Sequence, residues 1–149
     1  MRNFHKSIAT VCGIGYIDKG AGSVAAVAYC IVLFFLAAYN TLWQPVVLTV
    51  ILVAGVWSAG ALEKIWGHDN NKIVIDEVAG MMITLLLIPV KLKYIITGFI
   101  LFRFFDIVKP LGIKKAEQLP AGWGVMADDV LAGVYAYIIL RLIIASNIF

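Results

Sequence analysis

Five carboxylates stand out by type and spacing: the adjacent pairs Asp76-Glu77 and Asp128-Asp129, and the single Asp106. The pairs sit in apolar settings, Ile73-Val-Ile-Asp76-Glu77-Val-Ala-Gly80 and Gly124-Val-Met-Ala-Asp128-Asp129-Val-Leu-Ala-Gly133. An ionised carboxylate in such surroundings is costly unless it is paired or bound to a cation. The chain has nine acidic residues in all, and two such pairs explain each other if they share divalent metal ions. The competing reading is electrostatic, because acids at a helix N-terminus gain a few tenths to about 1 kcal/mol from the helix dipole.

A third segment, Phe102-Arg103-Phe-Phe-Asp106-Ile-Val-Lys109-Pro110, spaces a cation, an acid and a cation three apart. On a helix these lie along one slowly drifting face. Asp106 then offers a metal ligand or a catalytic proton, and Arg103 and Lys109 offer to hold a phosphate, for which arginine is suited by its bidentate fork. The alternative is an internally paired face whose cations snorkel to lipid phosphates. A fourth segment, Cys12-Gly13-Ile-Gly15-Tyr16-Ile-Asp18-Lys19-Gly20-Ala-Gly22-Ser23, is a glycine-rich turn into a helix. Its backbone N–H groups suit phosphate, with Ser23 adding a hydroxyl, although such a segment also serves simply as a turn. His68 is either a ligand or base, or a solvated loop histidine. No serine, cysteine or histidine stands in a motif suited to a covalent nucleophile.

The elements that must position these groups are apolar. Of 149 residues 62% are hydrophobic and 14% charged, against about half and a quarter in a soluble domain. The excess points to lipid contact in a single domain over 1–149. The expected fold class is all-α, an integral membrane helical bundle of about five hydrophobic helices: 20–39, 41–62, 73–90, 94–108 and 130–149. Asn40 and Thr41 make a tight connection between the first two, which are expected to form an antiparallel pair. Gly55 and Ala59, four apart, suit close approach of a neighbour. Pro89 ends the third helix, and the polar loop 109–126 precedes the last. Cys12 and Cys30 have neither metal nor disulfide-framework spacing and read as small buried hydrophobes. The N-terminal segment carries Arg2 and Lys6 but no signal-peptide pattern.

Lysine and arginine placement sets the orientation. With the N-terminus cytoplasmic, Arg2, Lys6, Lys19, Lys64, Lys72, Arg103, Lys109, Lys114 and Lys115 fall on or near the inner side, and only Lys91 and Lys93 lie outside. The same topology brings Asp18, Glu63, Asp69, Asp76, Glu77, Asp106, Asp128 and Asp129 to the inner edge. A cation transporter or channel would also use membrane acids, but these gather at one edge rather than at mid-depth.

Together the four segments resemble the phosphatidylglycerophosphatase A family over 13–133, in the family's order. The three acidic motifs match almost without change. The glycine-rich segment departs. Where the family commonly reads Pro-Lys-Ala-Pro-Gly-Thr-x-Gly-Ser, this chain has Asp18-Lys19-Gly20-Ala21-Gly22-Ser23-Val24-Ala25-Ala26, keeping Lys19, Gly22 and a hydroxyl at Ser23.

The resemblance implies a magnesium-dependent phosphomonoesterase of the bacterial cytoplasmic membrane, multi-pass, with its active site facing the cytoplasm. The implied substrate is the lipid phosphatidylglycerophosphate and the products are phosphatidylglycerol and phosphate, with no role for nucleic acid and the oligomeric state open. In that reading Asp76, Glu77, Asp128 and Asp129 hold Mg²⁺. Asp106 and Asp129 are catalytic, Asp106 as a further ligand or the general base, and Lys19, Ser23, Arg103 and Lys109 hold the phosphate. Water attacks directly.

Overall fold

A computed structural model gives the structure of the chain and describes residues 1–36, 42–67, 70–110 and 112–147. Among these the protein is all-helical: α1 Arg2–Ala9, a 3₁₀ turn Ile14–Tyr16, α2 Ala21–Phe35, α3 Trp43–Trp66, α4 Ile75–Thr84, α5 Leu92–Val108, α6 Ile113–Ala116 and α7 Gly122–Ala145. The expected connection at Asn40 and Thr41, together with His68 and Asp69, lies outside the described residues.

α4 is central, packed on α7, α2, α3 and α5. It is shorter than the expected 73–90 helix. Its ten residues rise only about 15 Å, half the ~30 Å hydrocarbon core. Pro89 explains the early stop. Its ring opposes helical geometry at the carbonyl four residues back, Leu85, and disfavours helix at Ile88. The chain instead turns through Leu87 in a left-handed conformation (φ 53°). Its N–H donates to Oε1 of the fully buried Gln44 on α3, 2.8 Å away.

α7 differs in the opposite sense, starting at Gly122 rather than near Val130. Poor helix formers open it, but close packing holds them. A Cβ on Gly122 would run into the Val56 carbonyl oxygen of α3, and one on Gly124 into the carbonyls of Glu117 and Leu119. Asp128 and Asp129 therefore stand inside the helix, in its second turn.

The expected approach at Gly55 holds, since Met126 of α7 packs where a side chain there would lie. The antiparallel pairing of the first two helices does not. α2 packs on α4, and among the described residues α2 and α3 barely touch. α1, not anticipated from the sequence, sets Phe4 and His5 against Trp57 of α3. Its terminal Ala9 carbonyl accepts from the Val74 N–H at 2.8 Å, tying it to the start of α4. Cys30 is buried as expected whereas Cys12 is exposed, and both are free.

The outer surface carries apolar stripes at helical spacing, Val46, Val50, Val53 and Trp57 on α3 and Ile96, Ile100, Phe104 and Ile107 on α5, all exposed. Lipid solvates such stripes and water does not. Among the described residues one helix, α3, is long and apolar enough to cross a membrane on length and composition.

Candidate active site

The acids are brought together by a glycine crossing. A Cβ on Gly133 of α7 would strike the Gly80 carbonyl oxygen, and one on Gly80 of α4 would meet Phe102 and lie 2.7 Å from the Asp129 carbonyl oxygen. Only two glycines let the backbones approach this closely. Each glycine follows an acid by four residues, Asp76 to Gly80 and Asp129 to Gly133, so one helical turn carries both carboxylates from the crossing to the same spot.

There Asp76, Glu77 and Asp129 each offer an oxygen within 4.8 Å of the others. Asp76 is 8% and Asp129 3% exposed, and Oδ1 of Asp76 accepts from the Glu77 N–H at 3.1 Å. The buried Oε2 of Glu77 has no hydrogen-bond partner among the described residues. Three crowded anions in low dielectric repel one another strongly. An all-oxygen donor set with an unengaged carboxylate oxygen suits a hard divalent cation, so the residues present fit such an ion.

α5 adds the next layer. Asp106 lies close enough to interact with Asp129, and Arg103 close enough to act electrostatically on Glu77. Nη1 of Arg103 stands 2.6 Å from Oδ2 of Asp106, an ion pair whose angle is not that of a hydrogen bond. Lys109, the left-handed cap of α5 (φ 47°), is engaged by carboxylates. Its Nζ donates to Oδ2 of Asp128 at 2.8 Å and to Oε2 of Glu117 at 3.1 Å. Burial works against its charge, but these two anions outweigh that and hold its pKa above the usual lysine value. The four-carboxylate set expected from the sequence thus divides into a trio and an Asp128 turned to Lys109.

The glycine-rich segment belongs to the site. A Cβ on Gly22, in the first turn of α2, would run into Oε1 of Glu77. Ser23 follows it, half-buried, and Lys19 is exposed just before the helix. Gly15 approaches closely too, against the Lys72 carbonyl oxygen just before α4. Asp18 is exposed. Sequence reasoning missed Glu117 as the second anchor of Lys109. It also missed the crossing, although the four-residue step from acid to glycine, repeated in two motifs, was there to be read.

A family model described as Phosphatidylglycerophosphatase A matches residues 7–144. The chain is 46% identical over 141 residues, 89% of each chain, to a Bacteroides thetaiotaomicron protein named "Putative phosphatidylinositol-3-phosphatase". It is 36% identical over 137 residues to a Phosphatidylglycerophosphatase A of Escherichia coli, covering 88% of this chain and 77% of that one. A Haemophilus influenzae protein of the same name is 48% identical over 75 residues, 49% of this chain and 46% of its own. No solved structure matches the chain significantly.

Proposed function

The chain belongs to the phosphatidylglycerophosphatase A family and is a phosphoric monoester hydrolase, and on that premise we propose that it hydrolyses the terminal phosphate of phosphatidylglycerophosphate with the aid of Mg²⁺. The observation that carries the reading is the trio Asp76, Glu77 and Asp129, the two aspartates buried and the glutamate partly so, assembled by a backbone crossing with Arg103 nearby. In this reading the carboxylates hold a cation and the arginine beside them holds a phosphate.

In this mechanism Asp76, Glu77 and Asp129 hold the ion, and Asp128, fixed by Lys109, completes the acidic set. Bound there, Mg²⁺ would neutralise phosphoryl oxygens and lower the pKa of an attacking water. Arg103 grips the terminal phosphate, helped by Lys19 and by the Ser23 hydroxyl at the start of α2. Asp106, within reach of Asp129, accepts the proton of the attacking water at its carboxylate. The products are phosphatidylglycerol and inorganic phosphate. The apolar stripes support a multi-pass seat in the bacterial cytoplasmic membrane, with the basic, acid-bearing end facing the cytoplasm.

The Bacteroides relative's name makes phosphatidylinositol 3-phosphate the second substrate to assay. The test is phosphate release by the purified chain from each lipid, with and without Mg²⁺. We expect Mg²⁺-dependent turnover of phosphatidylglycerophosphate, lost in Asp76→Asn and Asp129→Asn while the protein stays folded. Full activity in both variants overturns the metal-site reading, and turnover of the inositol lipid alone overturns the substrate.

A further inference from the structure

We infer that the Lys109 ammonium stands where a second divalent cation would otherwise be held, so that the acidic centre takes a single ion; this rests on the metal-site reading above. Carboxylates gathered in this number suit a pair of ions about 3.5–4 Å apart, an arrangement widespread in phosphoryl chemistry. The structure divides them instead. Asp76, Glu77 and Asp129 converge on one another, whereas Asp128 and Glu117 converge on Nζ of Lys109, at 2.8 and 3.1 Å.

The two groups are neighbours. Asp128 precedes Asp129 in α7 and lies close enough to act electrostatically on both Asp76 and Asp129. A cation held by Asp128 is thus a cation beside the trio, where the second ion of a pair belongs. That cation is the protein's own. An ammonium and a divalent ion compete for the same carboxylate oxygens, and here Oδ2 of Asp128 and Oε2 of Glu117 both accept from lysine.

Three features fix the ammonium there. Lys109 caps α5 in a left-handed conformation (φ 47°), which residues other than glycine rarely adopt, and two charge-assisted hydrogen bonds offset that strain. Its partners are also joined to each other. A Cβ on Gly124 would run into the Glu117 carbonyl oxygen, and Asp128 stands one helical turn beyond Gly124. Finally, Asp128 is only 6% exposed, so its charge must be balanced within the fold, and a tethered cation does so without drawing an ion from solution. On the substrate side a single ion leaves Arg103 as the second positive group for the phosphate.

The experiment counts Mn²⁺, a paramagnetic ion that accepts the same oxygen ligands as Mg²⁺, bound to the full chain in detergent, by elemental analysis and electron paramagnetic resonance. Wild type should hold one ion per chain, with the spectrum of an isolated Mn²⁺. Lys109→Gly removes the ammonium while glycine takes the left-handed turn freely, and circular dichroism checks the fold. This variant should hold a second ion, spin-coupled to the first. Adding Asp128→Asn to Lys109→Gly should abolish the second ion and keep the first. Two coupled ions in wild type overturn the inference, and that count decides even where the variants fail to fold. A folded Lys109→Gly protein with one ion, or with a second that is not coupled to the first, overturns it as well, as does a coupled pair that survives Asp128→Asn. A wild type that binds no Mn²⁺ overturns instead the metal-site reading beneath it.

Discussion

Replacing Gly133 by alanine tests whether the α4–α7 crossing positions the site. The new Cβ would strike the Gly80 carbonyl oxygen and lie 3.1 Å from both the carbonyl carbon and the Cα of Gly80. Carbon atoms settle at about 3.5–4.0 Å, so the helices must part by roughly 0.5–1 Å. The obstacle is backbone and cannot rotate aside. Overpacking of this kind costs about 1–3 kcal/mol of stability. The larger consequence falls on the carboxylates, because Asp76 and Asp129 each stand one turn from the crossing and travel with their helices. A displacement near 1 Å can cost on the order of 100-fold in rate. For Gly133→Ala we expect kcat/KM for phosphate release to fall about 10- to 100-fold. The Mg²⁺ concentration giving half-maximal activity should rise, while circular dichroism reports retained helix. A folded Gly133→Ala protein with wild-type kcat/KM and wild-type Mg²⁺ requirement would refute the argument.

Other perturbations reach the same centre from other sides. Gly22→Ala presses on Oε1 of Glu77, a flexible side chain, so the Mg²⁺ concentration giving half-maximal activity should rise several-fold, on the order of 1 kcal/mol of lost ion binding, with little change in melting temperature. Arg103→Lys keeps the charge but loses the planar fork, and steady-state kinetics should show about a tenfold or greater loss in kcat/KM. Lys109→Met removes the cation that Lys109 supplies to the 6%-exposed Asp128. Breaking a buried pair costs about 3–5 kcal/mol, and partial exposure of Lys109 reduces that to about 2 kcal/mol, visible as a lower melting temperature in detergent. Lys109→Met and Asp128→Asn together should be less destabilised than the sum of the two single variants, because the second change removes the charge that Lys109 had balanced.

The candidate acidic residues were legible because they break a rule. Charges in apolar helices stand out against a composition that is 62% hydrophobic, and lysine and arginine placement alone assigned them to one end. The elements were less legible. The stop of α4 was expected at Pro89 itself, whereas a proline disturbs the turn before it, and only the Leu87 N–H bond to Gln44 shows where the chain goes instead. The early start of α7 runs against the poor helix propensity of Gly122 and Gly124, and contacts with α3 and the α6 loop override that propensity. The neighbours 20–39 and 41–62 suggested a hairpin by their short connection, yet α2 turns to α4 and leaves a cavity at the expected seam.

The sequence by itself determined the chemistry on offer: which side chains can bind a cation or a phosphate, that apolar helices carry them, and that they share one end. Local composition and charge suffice for that, since each residue's cost of burial is its own. Which carboxylates meet was decided by the tertiary structure alone. The trio forms because Gly80 and Gly133 let two backbones touch one turn from the acids, and Asp128 is drawn aside because Lys109 and Glu117 arrive from α5 and the loop. Those contacts join different elements, Lys109 to residues 8 and 19 positions on and Gly80 to Gly133 far beyond that, and spacing along the chain carries no measure of them.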